Sequence, residues 1–332
     1  MNAIITATDP ELTVLEPLPL DQNPAAVYLA GLPSPNSQRN LRRYLNQIAH
    51  LLKSDSDAFS IQWGNMRYQH TKAILARLSS ENAPDSDKPY ATRTVNGMLS
   101  ALRGVLKEAW RLGQMSAEEY QRAVDFKNLK IETLAAGRDL SSGEIMALVN
   151  LCLSLDSAAG IRDATLIGVL YTAGLRRSEV VHLTLADYTP ETGQLKIIGG
   201  KGNKSRTVYV TNGAQEALQD WLVLRGDTPG ALFTPINKGG RIILKPMSAQ
   251  AIYNLLEKRA AQAQVKDFTP HDFRRTFAGE MLDGGVDIAT IAKIMGHASI
   301  DTTGRYDRRP ETVKRAAAQK IHFPYTRRRL MD

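Results

Sequence analysis

With a single cysteine, Cys152, among its 332 residues, the chain has no material for a disulfide framework and almost none for a cysteine-rich zinc site. Cys152 stands in the apolar run Leu151–Cys152–Leu153, which reads as a core thiol kept reduced in a cytoplasm. Aromatic residues make up only 6% of the chain, too few for a platform that stacks single-stranded bases. No apolar run approaches the roughly 18–20 residues that a bilayer span requires. The stretch Met1–Glu16 lacks the basic-then-apolar order of a secretory signal. The expected location is therefore the cytoplasm, with no membrane partner. Lysine and arginine are absent from residues 1–36, which carry Asp9, Glu11, Glu16 and Asp21.

What is present is ordinary in bulk, with 43% hydrophobic and 23% charged residues, and the length suffices for two domains with separate cores. A net charge of +8 favours a polyanionic partner, weakly by itself. Its distribution is more telling. Residues 137–304 are nearly balanced, with 18 basic against 17 acidic side chains. Residues 305–332 hold nine basic ones (Arg305, Arg308, Arg309, Lys314, Arg315, Lys320, Arg327, Arg328, Arg329) against three acidic. A solvated tail is the ordinary explanation for the final arginine cluster.

Residues 1–36 are proline-rich and aperiodic, so they read as an extended or disordered leader. Leu41, Leu45, Ile48 and Leu52 then recur at helical spacing from Gln38 to Lys53. A second helical pattern covers about Met66–Leu78, and a third runs from Thr92, read as its cap, to Leu112 before Gly113. Ser116 with Glu119 forms a capping box that opens a fourth helix. Residues 37–127 thus predict an all-helical domain, and 128–140 a linker. Ser141 with Glu144 forms a second capping box, with helices expected at about 142–154 and 160–173. Tyr188–Gly193 is turn-like, and Leu195–Ile198 and Thr207–Val210 read as strands around a glycine- and lysine-rich hairpin loop. Helices are expected again at 212–225 and 248–263, after Thr269 with Pro270 at the first helical position, and after Asp287.

Four short segments of the second half stand out for chemistry: Thr172–Glu179, Gly200–Lys204, His271–Arg274, and Gly296–His297 with Tyr306 nine residues on. Each alone has an ordinary explanation. Arg176 with Glu179 is a common helical ion pair, a Gly-Lys-Gly loop is a common hairpin tip, and lone histidines and tyrosines are usually structural. His271, Asp272 and His297 lack the spacing of a zinc site, and Gly199–Gly202 is no phosphate-binding P-loop.

Taken in order, "TAGLRRSEV", "GKGNKSRTVYV", "TPHDFRRTFA" and "MGHASIDTTGRYDRR", with "LSSGEI" before them, resemble the tyrosine recombinase or integrase family of phage integrases, Xer recombinases and Cre-type enzymes. The resemblance spans about residues 140–310, with a looser match of the helical half to the family's core-binding domain. It implies a mainly α protein with a small β-sheet: an all-helical domain over 37–127 and a mixed α/β catalytic domain over 141–332, closing as a C-shaped clamp on duplex DNA. It implies site-specific recombination by metal- and ATP-independent strand breakage and rejoining, with no cofactor. Tyr306 would be the nucleophile, forming a 3′-phosphotyrosyl link that keeps the energy of the broken bond. Arg176 and Arg274 match the catalytic arginines, whose planar forks suit phosphate oxygens. Lys201 matches the general acid of the hairpin loop, with Lys204 as its neighbouring competitor. His271 would exchange a proton with Tyr306, His297 would hydrogen-bond the scissile phosphate, and Glu179 would orient its neighbours. None of the seven positions departs from the family's residue types.

By the same resemblance, a homotetramer would exchange strands in two steps through a Holliday junction. A helix over Pro310–Ile321 would dock either on a neighbouring protomer or on its own domain. The leader looks too short and too acidic for an arm-binding domain, and the tail motif has the flavour of mobile-element integrases. Two other functions remain open at this point: relaxation of supercoils by a type IB topoisomerase-like enzyme, and a DNA-binding regulator without catalysis.

Overall fold

A computed structural model describes residues 18–83, 86–130, 137–199, 205–297, 299–307 and 318–319. The chain divides into two compact units, Met1–Thr133 and Leu134–Asp332, each with its own apolar core.

In the first unit the described helices are α1 (Pro24–Ala30), α2 (Pro35–Leu52), α3 (Tyr68–Ser80), α4 (Thr92–Arg111) and α5 (Ala117–Ala123). The core is organised on α4, whose Val95, Met98, Leu99, Leu102, Val105 and Leu106 are buried along one stripe. Full burial of each such side chain is worth about 1.5–3 kcal/mol, so this helix dominates the cohesion of the unit. Two expectations need correction. The span 1–36 is not all leader, because α1 lies inside it, with Ala25 and Leu29 in the core. Its seven residues are too few to show a period. The signal lies in its start, where Asn23 accepts from the backbone N–H groups of Ala25 and Ala26 and Pro24 opens the helix. Thr92 is the first helical residue of α4 rather than its cap, a place taken by Ala91 without a side-chain bond. Ser116 and Glu119 do form the reciprocal capping box of α5.

The second unit contains α6 (Ser142–Ser154), α7 (Ala158–Ala173), α8 (Arg177–His182), β1 (Tyr188–Thr189), β2 (Gln194–Ile197), β3 (Arg206–Tyr209), α9 (Gly213–Arg225), α10 (Ala249–Gln262), α11 (Pro270–Asp283), α12 (Ile288–Met295) and α13 (Ile300–Gly304). The strands form an antiparallel sheet in the order β1-β2-β3, with Leu195 opposite Val208 and Ile197 opposite Arg206. Leu195, Ile197 and Val208 point into the core at the two-residue period of a half-buried strand. α7 is buried along most of its length between α6 and α9. Asp163 on α7 accepts from Arg162 at 2.9 and 2.7 Å and from Arg259 of α10 at 2.8 and 2.5 Å. This buried carboxylate is thus satisfied by two guanidinium forks. Cys152 is buried, and burial pushes its thiol up to about 11.

The end of the expected linker is bound to the unit that follows it. Arg138 N–H donates to Asp272 Oδ1 at 2.9 Å, Leu140 N–H to Thr276 Oγ1 at 2.8 Å, and Arg275 Nε to Asp139 Oδ1 at 3.1 Å. Gly137 has φ +110, and a Cβ there would collide with Asp272 Oδ1, so glycine is required on both counts. Residues 137–140 therefore strap onto α11. Among the described residues, no helix is long and apolar enough to cross a membrane.

Candidate active site

Six of the seven candidate residues converge in the second unit, carried by α8, α11 and the ends of α12 and α13. Arg176 and Glu179 lie at the start of α8, just after Gly174 ends α7. His271 and Arg274 lie one turn apart in the first half of α11, which Thr269 and Asp272 cap reciprocally and Pro270 opens. His297 follows the left-handed turn at Gly296 that stops α12, and Tyr306 follows α13. Lys201 and Lys204 lie outside the described residues, as does nearly all of the Pro310–Ile321 segment.

Tyr306 packs against the small apolar cluster of Phe277, Ile291 and Met295, and its N–H donates to Thr303 O at 2.9 Å. These contacts aim its phenolic oxygen at His271 Nε2, 3.1 Å away. The His297 ring stacks on the Tyr306 ring at an interplanar angle of 20°. Arg274 Nη2 and His297 Nε2 are 2.7 Å apart. Because guanidinium only donates, His297 Nε2 accepts, and Nδ1 carries the proton toward Thr303 Oγ1 at 2.7 Å. Arg274 is 1% exposed and also donates to Gly174 O and Met295 O. A cleft of about 260 Å3 opens beside these groups, lined by Arg176, Arg177, Tyr253, His271 and Arg274.

Glu179 ties the remaining pieces together. Its carboxylate accepts from the Arg176 N–H and Nη1, each at 2.8 Å, and from Arg206 Nη1 and Nη2 at 2.9 and 2.8 Å. Burial pushes this carboxyl up, but Arg206 and the Arg176 backbone outweigh it and hold the group at about 2. The anion is therefore permanent at working pH.

The electrostatics favour an incoming anion. Burial and the neighbouring Arg176 charge press Arg274 down to about 9, still cationic at neutral pH. Desolvation and the Arg274 charge lower His297 to about 4, and the same causes lower His271. His271 is still exposed, so its desolvation is incomplete. Three guanidiniums, those of Arg176, Arg206 and Arg274, face one carboxylate, and both histidines are neutral. Such a cluster is stabilised by phosphate oxygens and destabilised without them.

Sequence reasoning missed two members. Arg206 stands inside "GKGNKSRTVYV" at the first position of β3, where its strand partner Ile197 is buried. A charged residue at such a register position was the available signal. Thr303, fully buried and bonded to His297, sits in a helix of five residues that offers no period to read. Among the described residues no cluster of His, Cys, Asp and Glu has the geometry to hold a metal ion.

The phage integrase family matches residues 138–312. The tyrosine recombinase XerA of Pyrococcus furiosus is 32% identical over 222 residues, covering 67% of this chain and 71% of its own. The tyrosine recombinase XerC of Proteus mirabilis is 29% identical over 282 residues, covering 82% of this chain and 83% of its own. Among solved structures, the Tn1549 transposon integrase in complex with transposon right end DNA superposes with a TM-score of 0.66 at 17% identity, over 90% of this chain and 99% of that one. A lambda integrase tetramer bound to a Holliday junction gives a TM-score of 0.62 at 12% identity, over 86% and 75%. At these identities the structural likeness speaks for the fold.

Proposed function

Because the chain belongs to the phage integrase family and is a tyrosine-type site-specific recombinase, we propose that it cleaves and rejoins duplex DNA at paired sites through a 3′-phosphotyrosyl intermediate on Tyr306. The observation that carries this reading is the phenolic oxygen of Tyr306 held 3.1 Å from His271 Nε2, beside a cleft lined by Arg176 and Arg274.

In the forward step Tyr306 Oη attacks the scissile phosphorus and its proton passes to neutral His271. Arg176 and Arg274 donate to the two non-bridging oxygens as charge builds on them, a role typically worth about 10²–10³-fold in rate per donor. The bond to the 5′-oxygen breaks, and Lys201 supplies the proton that this oxygen needs. Reversal by a 5′-hydroxyl from the other duplex reseals the strand, since the phosphotyrosyl bond keeps the energy of the original linkage. Arrival of the phosphate changes His297 as well. Its Nε2 accepts from Arg274 without DNA, and with an anion in place it protonates and donates instead. Four protomers on two sites would carry out two such exchanges through a Holliday junction, as an integrase or resolvase of a mobile element or chromosome.

A nicked suicide substrate carrying the cognate site tests the core of this reading. The wild-type protein is expected to form a covalent adduct stable to denaturant, and Tyr306→Phe to form none while binding the same DNA. Adduct formation by the Phe variant at the wild-type rate removes Tyr306 as the nucleophile.

A further inference from the structure

Arg206 belongs to neither of the helices that carry the catalytic arginines, yet its side chain reaches both neighbouring motifs. It leaves the first position of β3 and is 11% exposed. Nη1 and Nη2 form a two-pronged pair with Glu179 at 2.9 and 2.8 Å, and Nε donates to Ile294 O at 2.6 Å. The same two carboxylate oxygens take the backbone N–H and Nη1 of Arg176. Arg176 Nη2 in turn donates to Gly296 O at 3.1 Å. A closed circuit thus joins β3, the start of α8 and the end of α12. Gly296 completes it, since its φ is +62 and a Cβ there would stand 2.9 Å from Arg206 Nη1.

We infer that Arg206 is a positioning residue of the recombination reaction: through Glu179 it aims Arg176, and through the Ile294 carbonyl it sets the turn that presents His297. The inference rests on the reading of the site proposed above. All three nitrogens of this guanidinium are engaged with the protein, and, unlike Arg176 and Arg274, Arg206 does not line the cleft. Without Arg206, the buried Glu179 carboxylate keeps Arg176 as its ion-pair partner and draws that guanidinium away from the cleft. Lysine cannot substitute, because one ammonium cannot span two carboxylate oxygens and a carbonyl in this plane. Arg206 also fixes the strand that follows the Lys201 loop, so one side chain bears on three of the motifs.

The test compares wild type, R206K, R206Q, E179Q and the R206Q/E179Q double variant of the full chain on the suicide substrate. Single-turnover cleavage, DNA affinity and melting temperature are measured for each. R206Q and R206K are expected to slow cleavage by about 10²-fold, the scale of a misplaced catalytic group, with binding and melting little changed. A purely structural role would lower melting and binding together with the rate. The double variant is expected to be no slower than the slower single, because both changes break one circuit. Rate losses that multiply in the double variant overturn the inference, since Arg206 would then act independently of Glu179. If R206Q does not fold, R206K decides: cleavage at the wild-type rate overturns the inference. Absence of an adduct from the wild type overturns the reading of the site itself, and this inference with it.

Discussion

Arg274 is the most enclosed cation of the site and gives its carbonyl partners, Gly174 and Met295, two directions that a lysine cannot serve at once. Arg274→Lys is therefore expected to lower single-turnover cleavage by at least about 10²-fold, measured with DNA at saturation; near-normal cleavage would take Arg274 out of the reaction. His297 makes a different prediction. Its free-state value near 4 means that it is neutral before DNA binds, and a bound phosphate raises it. Above about pH 4 the complex therefore binds more protons than the free protein, so affinity rises as pH falls toward that value. Calorimetry in buffers of different ionisation enthalpy should register this uptake, and His297→Gln should diminish it. Uptake unchanged in that variant would assign the proton elsewhere. At this scale the convergence of Tyr306, Arg176, Arg274 and the two histidines was legible in the order of the motifs, not in any one residue type taken alone. It was least legible where a residue acts through a partner far along the chain. Glu179 was expected to orient its neighbours, but its partner Arg206 lies 27 positions on, and only the placement of β3 beside α8 brings the two together.

Helix α11 concentrates the demands made on a single element. It carries His271 and Arg274 on consecutive turns, buries Phe273 and Phe277, and begins in a box where Asp272 Oδ2 takes both the N–H and the hydroxyl of Thr269. The other oxygen of Asp272 holds the strap at Arg138. Gly137→Ala would force a Cβ into Asp272 and demand a strained backbone at φ +110. It is expected to destabilise the second unit by about 1–3 kcal/mol and to slow cleavage more than it weakens DNA binding. Denaturant melts and suicide-substrate rates check both; a variant as stable and as fast as wild type would show the strap to be dispensable. Element boundaries were legible from caps at Ser116, Ser141, Thr269 and Asp287, and were misread by one residue at Thr92. The short pieces were not: α1, α8, α13 and the two-residue β1 lack the length over which a period can show, and packing rather than propensity defines them.

For the molecule as a whole, the two units each enclose a separate core. One core is organised on α4 and the other around α7, and the described candidate residues lie in the second unit. On a supercoiled plasmid carrying two cognate sites, the protein is expected to yield joined or excised products whose formation depends steeply on protein concentration, as assembly of several protomers requires. Rapid relaxation without exchange between sites, at one protomer per DNA, would instead favour topoisomerase-like activity. The division into a helical unit and a mixed unit was legible in the change of periodicity near residues 128–140, because helices and strands announce themselves by spacing. The attachment of the strap was not, since it joins residues 134–136 positions apart through single side chains. That attachment has a practical corollary for retargeting. A chimera that exchanges the helical unit for that of another recombinase should place its junction ahead of Gly137, so that Gly137–Leu140 stay with their own α11. A graft that cuts after Leu140 would import a foreign tether and leave Asp272 and Thr276 without the backbone they were folded around.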